Sequence, residues 1–173
     1  MTVRRRAVAL LLVVGLAALV ACSDRADSLD PSKTQEAVGA AVADQVEPKV
    51  TATRCTGSLE REVDATFRCT VTLQGVGKLP VTVRQVDDDG TLDVTPDAAV
   101  VTRERIVSEL KASLKRSFER NFQVQCDGPT IEVRTPDSTS TCVARDANSR
   151  RKVTVTVTDA SGTLAFEVGG AAN

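Results

Sequence analysis

The chain repeats its own landmarks. Cys55 and Cys126 lie 71 positions apart, Cys69 and Cys142 lie 73 apart, and the Gly-Thr-Leu segments that begin at Gly90 and Gly162 lie 72 apart. A fixed interval between such landmarks signals one structural unit used twice. Each copy runs in the order helix, Cys, Cys, apolar strand, Gly-Thr-Leu strand. The boundaries that follow are 29–97 for copy one, 98–168 for copy two, and a tail over 169–173 that is expected to fray.

Each copy is expected to open on a helix. In copy one Asp30 is a good N-cap and Pro31 suits the first helical position. Val38, Ala41, Val42 and Val46 share one stripe, and Pro48 is the expected stop. In copy two Asp97 or Thr102 serves as cap. Ile106, Leu110, Leu114 and Phe118 then recur every fourth residue, the mark of a helix with one buried face.

Strands follow. Ala65, Phe67, Cys69, Val71 and Leu73 alternate with Thr66, Arg68, Thr70 and Thr72, a period of two that half-buries a strand. Leu79, Val81 and Val83 continue it, and Val86 breaks it in a manner that suggests a bulge. Asp89-Gly90 marks a hairpin turn and Leu92 and Val94 the return strand. Val153, Val155 and Val157, then Ser161-Gly162, then Leu164, Phe166 and Val168 repeat the scheme. Val50 to Cys55 and Phe122 to Cys126 read as first strands. The predicted fold class is α+β: two tandem repeats, each one helix packed on a four-stranded antiparallel sheet with one internal disulfide.

The repeat also orders the cysteines. Four of them allow three pairings, and only Cys55 with Cys69 and Cys126 with Cys142 closes each copy on itself. A loop of about 15 residues is worth roughly 3 kcal/mol in the chain-entropy model, a large share for a unit with a thin core. A zinc site is disfavoured, because the tight Cys spacing such sites use is missing and the chain has no His. No metal or cofactor is expected.

Cys22 stands apart. Arg4, Arg5 and Arg6 precede an unbroken run of small and apolar residues from Ala7 to Ala21, which is too short to span roughly 30 Å of hydrocarbon and has the flanks of a signal peptide. The run ends in Leu19-Val20-Ala21-Cys22, which resembles the bacterial lipobox. The expectation is a signal peptide over 1–21, a lipid-carrying Cys22, and a short polar tether. Ser23 to Leu29 reaches about 25 Å when extended. At least two acyl chains make such anchoring stable, where one gives only reversible binding.

The segment Phe67-Arg68-Cys69-Thr70-Val71 carries a further resemblance. It is similar to a family of actinobacterial secreted and lipid-anchored proteins with a small domain of unknown function. That domain has two cysteines, a Gly-Phe-x-Cys-like second cysteine strand and a terminal Val-rich hairpin. Copy two departs from the pattern, since Ser140-Thr141-Cys142-Val143 lacks the Phe. Neither copy has the Gly before that strand, where Asp64 and Asp137 lie, or the Pro after the first cysteine. The resemblance implies a fold type and an envelope location, and it implies no activity. Secreted beta-lactamase inhibitor proteins resemble the expected architecture, as tandem helix-plus-sheet units with a disulfide, by analogy alone.

Composition narrows the chemistry. The precursor has 22 Lys+Arg and 23 Asp+Glu, and loss of the three leader arginines leaves the mature chain near −4, which argues against nucleic-acid binding. With no His there is no Ser/His/Asp or Cys/His machinery; a carboxylate pair such as Glu60 with Asp64 is conceivable, but nothing in the spacing singles a pair out, and solvated loop charges are the default. Asp87-Asp88-Asp89-Gly90 fails the calcium-loop pattern, because Gln85 would hold its first position and Pro96 its last. With no Trp and no Tyr, glycan stacking is disfavoured and a protein contact must lean on Arg or on sheet edges.

Charge divides unevenly. Residues 29–97 carry 7 basic and 12 acidic side chains, and residues 98–173 carry 11 and 9. Lys111, Lys115, Arg116 and Arg120 lie on the second helix, and Arg145, Arg150, Arg151 and Lys152 surround a loop. They form a candidate basic patch for anionic lipid or envelope polymer, against the plainer reading of a solvated helix face with pairs such as Lys115–Glu119. The expected function is therefore a non-enzymatic binding or scaffold lipoprotein. It is held to the extracytoplasmic face of the cell membrane by its lipid anchor, with an envelope protein or anionic polymer as partner. The alternative is an inhibitor of a secreted hydrolase, for which Pro136 to Ser140 is the candidate inserting loop.

Overall fold

The computed structural model describes residues 28–171. The expected leader, Cys22 and most of the tether lie outside the described residues. The described part is a mixed α/β fold with two helices, three antiparallel sheets and two disulfides.

Helix α1 (Pro31–Ala43) begins where its sequence dictates. Asp30 stays extended, its carboxylate accepts the Lys33 amide at 2.9 Å, and Pro31 takes the first helical position. The helix stops at Ala43, ahead of Pro48, with Asp44 as C-cap. Val46, expected on the helical stripe, packs on the core from the loop instead. Leu29, expected at the end of the tether, is only 7% exposed and belongs to the core.

Strands β1 (Val50–Thr56), β2 (Thr66–Leu73), β3 (Gly77–Gln85) and β4 (Leu92–Pro96) form one sheet in that order. Phe67, Cys69, Val71 and Leu73 of β2 and Leu79, Val81 and Val83 of β3 point inward, where they meet Val38 and Val42 of α1. Threonines and charged residues take the other face, as the period of two requires. No bulge forms at Val86. The strand ends at Gln85, whose backbone is bonded to Asp64 and Ala65, and whose side chain takes the next inward position at 0% exposure. Val86 then lies outside at 42%.

The second half opens with a strand the sequence reading missed, β5 (Ala99–Thr102), and continues with α2 (Arg103–Phe118), β6 (Gln123–Cys126), β7 (Ile131–Arg134), β8 (Thr139–Arg145), β9 (Arg150–Val157) and β10 (Leu164–Ala171). Thr102 caps α2 by accepting the Arg105 amide, and Ile106, Leu110 and Leu114 are buried. The four-stranded sheet has the order β10-β9-β8-β6, and β5 pairs with β7 as a separate ribbon. Two four-stranded antiparallel sheets are present, and the expectation is corrected by the added two-stranded ribbon, which makes sheets of four, two and four strands. The cause is alternation: Ala99 and Val101 enter the second core, while Val100 and Val133 turn toward the first. Of the tail expected to fray over 169–173, residues 169–171 belong to β10, which runs on to Ala171 in register with Arg151, and 172–173 lie outside the described residues.

Candidate functional site

The expected cysteine pairs are both present. Cys55 bonds Cys69 and Cys126 bonds Cys142, each directly across neighbouring antiparallel strands, with Cα separations of 3.9 and 4.1 Å. Side chains at such positions face one another across the ladder, which is why the register and the covalent bond agree. Among the described residues no group of His, Cys, Asp or Glu could hold a metal ion. No helix of the described residues is long and apolar enough to cross a membrane.

The basic residues fall into two groups. Lys111, Lys115 and Arg116 lie exposed on α2. Arg145, Arg150 and Lys152 project from the opposite face of the sheet, since they alternate with the buried Cys142, Ala144 and Val153. Arg145 stands opposite Arg150 in the β8–β9 register, and Lys152 stands opposite Val143. Arg151 has the inward parity, opposite Ala144 at the end of the sheet. Arg120, just past α2, is drawn to this end by Asp146, with a 3.0 Å ion pair. Arg145 also lines a shallow groove of about 330 Å³ with Gln123, Gln125 and Val143.

The turn beside these cations is organised by Asp146. Its carboxylate accepts the Asn148 and Ser149 amides and the Ser149 hydroxyl. The Asn148 amide and the Ser149 hydroxyl, with Arg120 adding, hold Asp146 below the usual carboxylate range. Two other turns work alike. Asp87 accepts the Asp89 and Thr91 amides, and Asp159 accepts the Ser161 hydroxyl with the Ser161 and Thr163 amides. Hydrogen bonds from Thr91 lower Asp87, and those from Ser161 and then Thr163 lower Asp159 strongly. Sequence reasoning placed Asp87 in an acidic hairpin turn without seeing that its carboxylate caps the turn amides, and it did not single out Asp146 or Asp159.

The remaining candidates are placed elsewhere. Asp64 pairs with Arg84 at 3.1 Å, and Glu60 accepts the Ser58 hydroxyl, so the named carboxylate pair is engaged on two separate partners. Arg84 also reaches Asp93 at 3.2 Å, and bonds to Asp93 and Asp64 raise it above its ordinary value. The Glu119 backbone caps α2 in the left-handed region and donates to the Lys115 carbonyl. Residues 136–138 form a tight turn rather than a projecting loop, with the Asp137 amide on the Val157 carbonyl at 2.7 Å and Ser138 on Thr135. Thr139 and Ser140 already belong to β8.

Sequence reasoning also missed a groove between the halves. It has a volume of about 590 Å³, and Val46, Leu79, Pro96 and Ile131 give it apolar walls, with Glu47 and Arg105 at hand. Arg105 is fixed there by bonds to Glu109 at 2.7 Å and to the Gly162 carbonyl at 3.0 Å. The apolar runs Ala99-Val100-Val101 and Ile131-x-Val133 were the available signal.

No curated protein and no solved structure matches the chain. Residues 12–90 match a family model described as Domain of unknown function (DUF4333), so this part of the chain, which takes in Cys22, α1, β1, β2 and β3, is similar to that family.

Proposed function

We propose that the chain is a lipoprotein of an actinobacterial type. In this reading it is exported by a cleaved leader, held through lipid on Cys22 to the extracytoplasmic face of the membrane, and acts there as a non-enzymatic binding or scaffold module. The observation that carries the reading is the cysteine pairing. Cys55, Cys69, Cys126 and Cys142 are consumed within the two sheets, which leaves Cys22 as the one cysteine outside them, next to Leu19-Val20-Ala21. A pair of disulfides also suits an oxidising compartment.

The same reading takes the two halves as tandem copies. Support comes from the spacing of corresponding features. The left-handed Asp64 and Asp137, and the turn-forming Asp87 and Asp159, recur at the interval of the cysteines. The Ser28–Glu60 bridge of the first half stands, at the same interval, where Val100 pairs with Val133 in β5 and β7 of the second. The alternative of a hydrolase inhibitor draws no support from Pro136 to Ser140, which form a tight turn and the start of a strand.

Metabolic labelling with a fatty acid tests the anchor. The wild type takes up label and stays with the membrane fraction, and Cys22→Ala does neither. A labelled, membrane-bound Cys22→Ala protein would refute the reading.

A further inference from the structure

β5 is a strand with one open edge. It pairs with β7 and with no other strand. The Arg103 amide donates to the Thr130 carbonyl at 2.8 Å, and these two residues continue the β5–β7 register. In an antiparallel pair, hydrogen-bonded positions alternate with positions whose amides and carbonyls point away from the partner strand. Val101 opposite Glu132 and Ala99 opposite Arg134 are therefore the bonded pairs, and Val100 and Thr102 turn their backbone groups away from β7. The Val100 amide and carbonyl and the Thr102 amide have no hydrogen-bond partner among the described residues.

This edge runs along the groove of about 590 Å³ between the halves, and both Val100 and Thr102 line it. The volume falls within the roughly 300 to 1,000 Å³ of ligand sites, which collect at junctions between units. Pro96, at the end of β4, has no amide to offer, so the open stretch is the four residues of β5, about 14 Å of strand. The two sides of the ribbon differ. Val100 faces the first core, to which Val46 and Leu79 of the groove also belong. Ala99 and Val101 face the second core, where the 159–162 turn closes in: a Cβ on Gly162 would lie 3.0 Å from Ala99.

We infer that the groove takes an extended polypeptide segment of a partner protein, which adds to β5 as the third strand of the ribbon. The inference rests on the binding-module part of the reading above and makes no use of the anchor. Residues of the segment level with Val100 and Thr102 exchange backbone bonds with β5 and turn their side chains toward Val46 and Leu79. The residues between them face the 159–162 turn and must be small. The segment is therefore an alternation of apolar and small residues without proline. An apolar small molecule would cover the walls and leave the edge unpaired, whereas a strand satisfies both. Strand addition draws affinity from main-chain hydrogen bonds and specificity from alternate side chains. It suits a chain with no Trp and no Tyr to serve as anchors.

The experiment uses the purified full-length protein with both disulfides formed. The probe is the peptide Thr-Val-Thr-Val-Thr, amidated and labelled with fluorescein at its N-terminus, read by fluorescence anisotropy. The wild type binds it saturably. The same peptide N-methylated at both valines, whose amides meet β5, binds about tenfold more weakly or worse. N-methylation at the central threonine, whose amide faces away from β5, costs less than about twofold. Val100→Pro removes an amide that β7 does not use, a position where an edge strand tolerates proline, and it weakens binding of the unmodified probe about tenfold. Absence of saturable binding, equal loss from the two N-methylated peptides, or full binding by Val100→Pro would overturn the assignment. Should Val100→Pro fail to form both disulfides, the two N-methylated peptides on the wild type decide the matter alone. Fatty-acid labelling of Cys22 is read separately. A labelled protein that ignores the peptide keeps the anchor and loses the strand site, and an unlabelled protein that binds it does the reverse.

Discussion

Gly39 of α1 lies so close to Thr53 of β1 that a Cβ built on the glycine would sit 2.8 Å from the threonine hydroxyl, with Val50 and the Thr53 Cβ just beyond. A mid-helix glycine ordinarily costs about 0.5–1 kcal/mol relative to alanine. Here the close approach of helix to strand reverses the sign. Gly39→Ala is expected to lower stability by about 1–2 kcal/mol through overpacking. Adding Thr53→Ala should recover most of the loss. Denaturant unfolding of the four proteins of this cycle checks it, and an additive double variant would refute the contact.

Each disulfide closes a short loop, with sequence separations of 14 and 16. Removal of either pair should cost about 3 kcal/mol. The two cores are distinct clusters, so the losses should localise. Hydrogen exchange of Cys126→Ala with Cys142→Ala is expected to rise across 103–171 far more than across 31–85. Uniform acceleration over the whole chain would show that the cores melt as one.

Asp64 and Asp137 adopt φ of 66° and 64°. This is the left-handed region, which disfavours side chains other than Asn and Asp by roughly 1–2 kcal/mol per residue. Asp137→Ala should therefore lower stability by about 1 kcal/mol, whereas Asp137→Gly should hold or raise the Tm. Asp64→Gly should fare worse than Asp137→Gly, because it gives up the Arg84 ion pair. A Tm for Asp137→Ala equal to that for Asp137→Gly would refute the argument.

Asp87, Asp146 and Asp159 all have lowered pKa values in the fold, from an ordinary value of 3.8. The unfolded chain then binds protons more tightly than the folded one. The stability these groups contribute is fully present above 3.8 and is lost as pH falls below it. With no His, nothing comparable titrates between about pH 5 and 8. Thermal midpoints should be flat across that range and fall in acid. Asp159→Asn should flatten part of the acid decline, and an unaltered acid limb would count against the Asp159 turn.

Much of the fold was legible because it obeys simple periods. Ile106, Leu110 and Leu114 announce α2, Phe67 to Leu73 announces β2, and Asp30-Pro31 marks the start of α1. The failures share a physical origin. β5 and β7 have four residues each, too few for a period, and what fixes them is that they face two cores at once. Gln85 hid because a polar side chain occupies a core position, its Nε2 on the Asp87 carbonyl at 2.7 Å and its Oε1 without a partner. The basic residues were legible one by one. Their division between the helix and the far face of the sheet was not, since it depends on which side of β8 and β9 the helix covers. The capping role of the turn aspartates was not legible, because it is exerted on backbone amides that sequence does not display.

β4 ends at Pro96 and β5 begins at Ala99, so only Asp97 and Ala98 separate a strand of the first sheet from the ribbon that serves the second core, and Ala98 is itself buried. There is no slack in this joint. The direction in which the chain leaves Pro96 is therefore handed on, within two residues, to the strand that faces the second core.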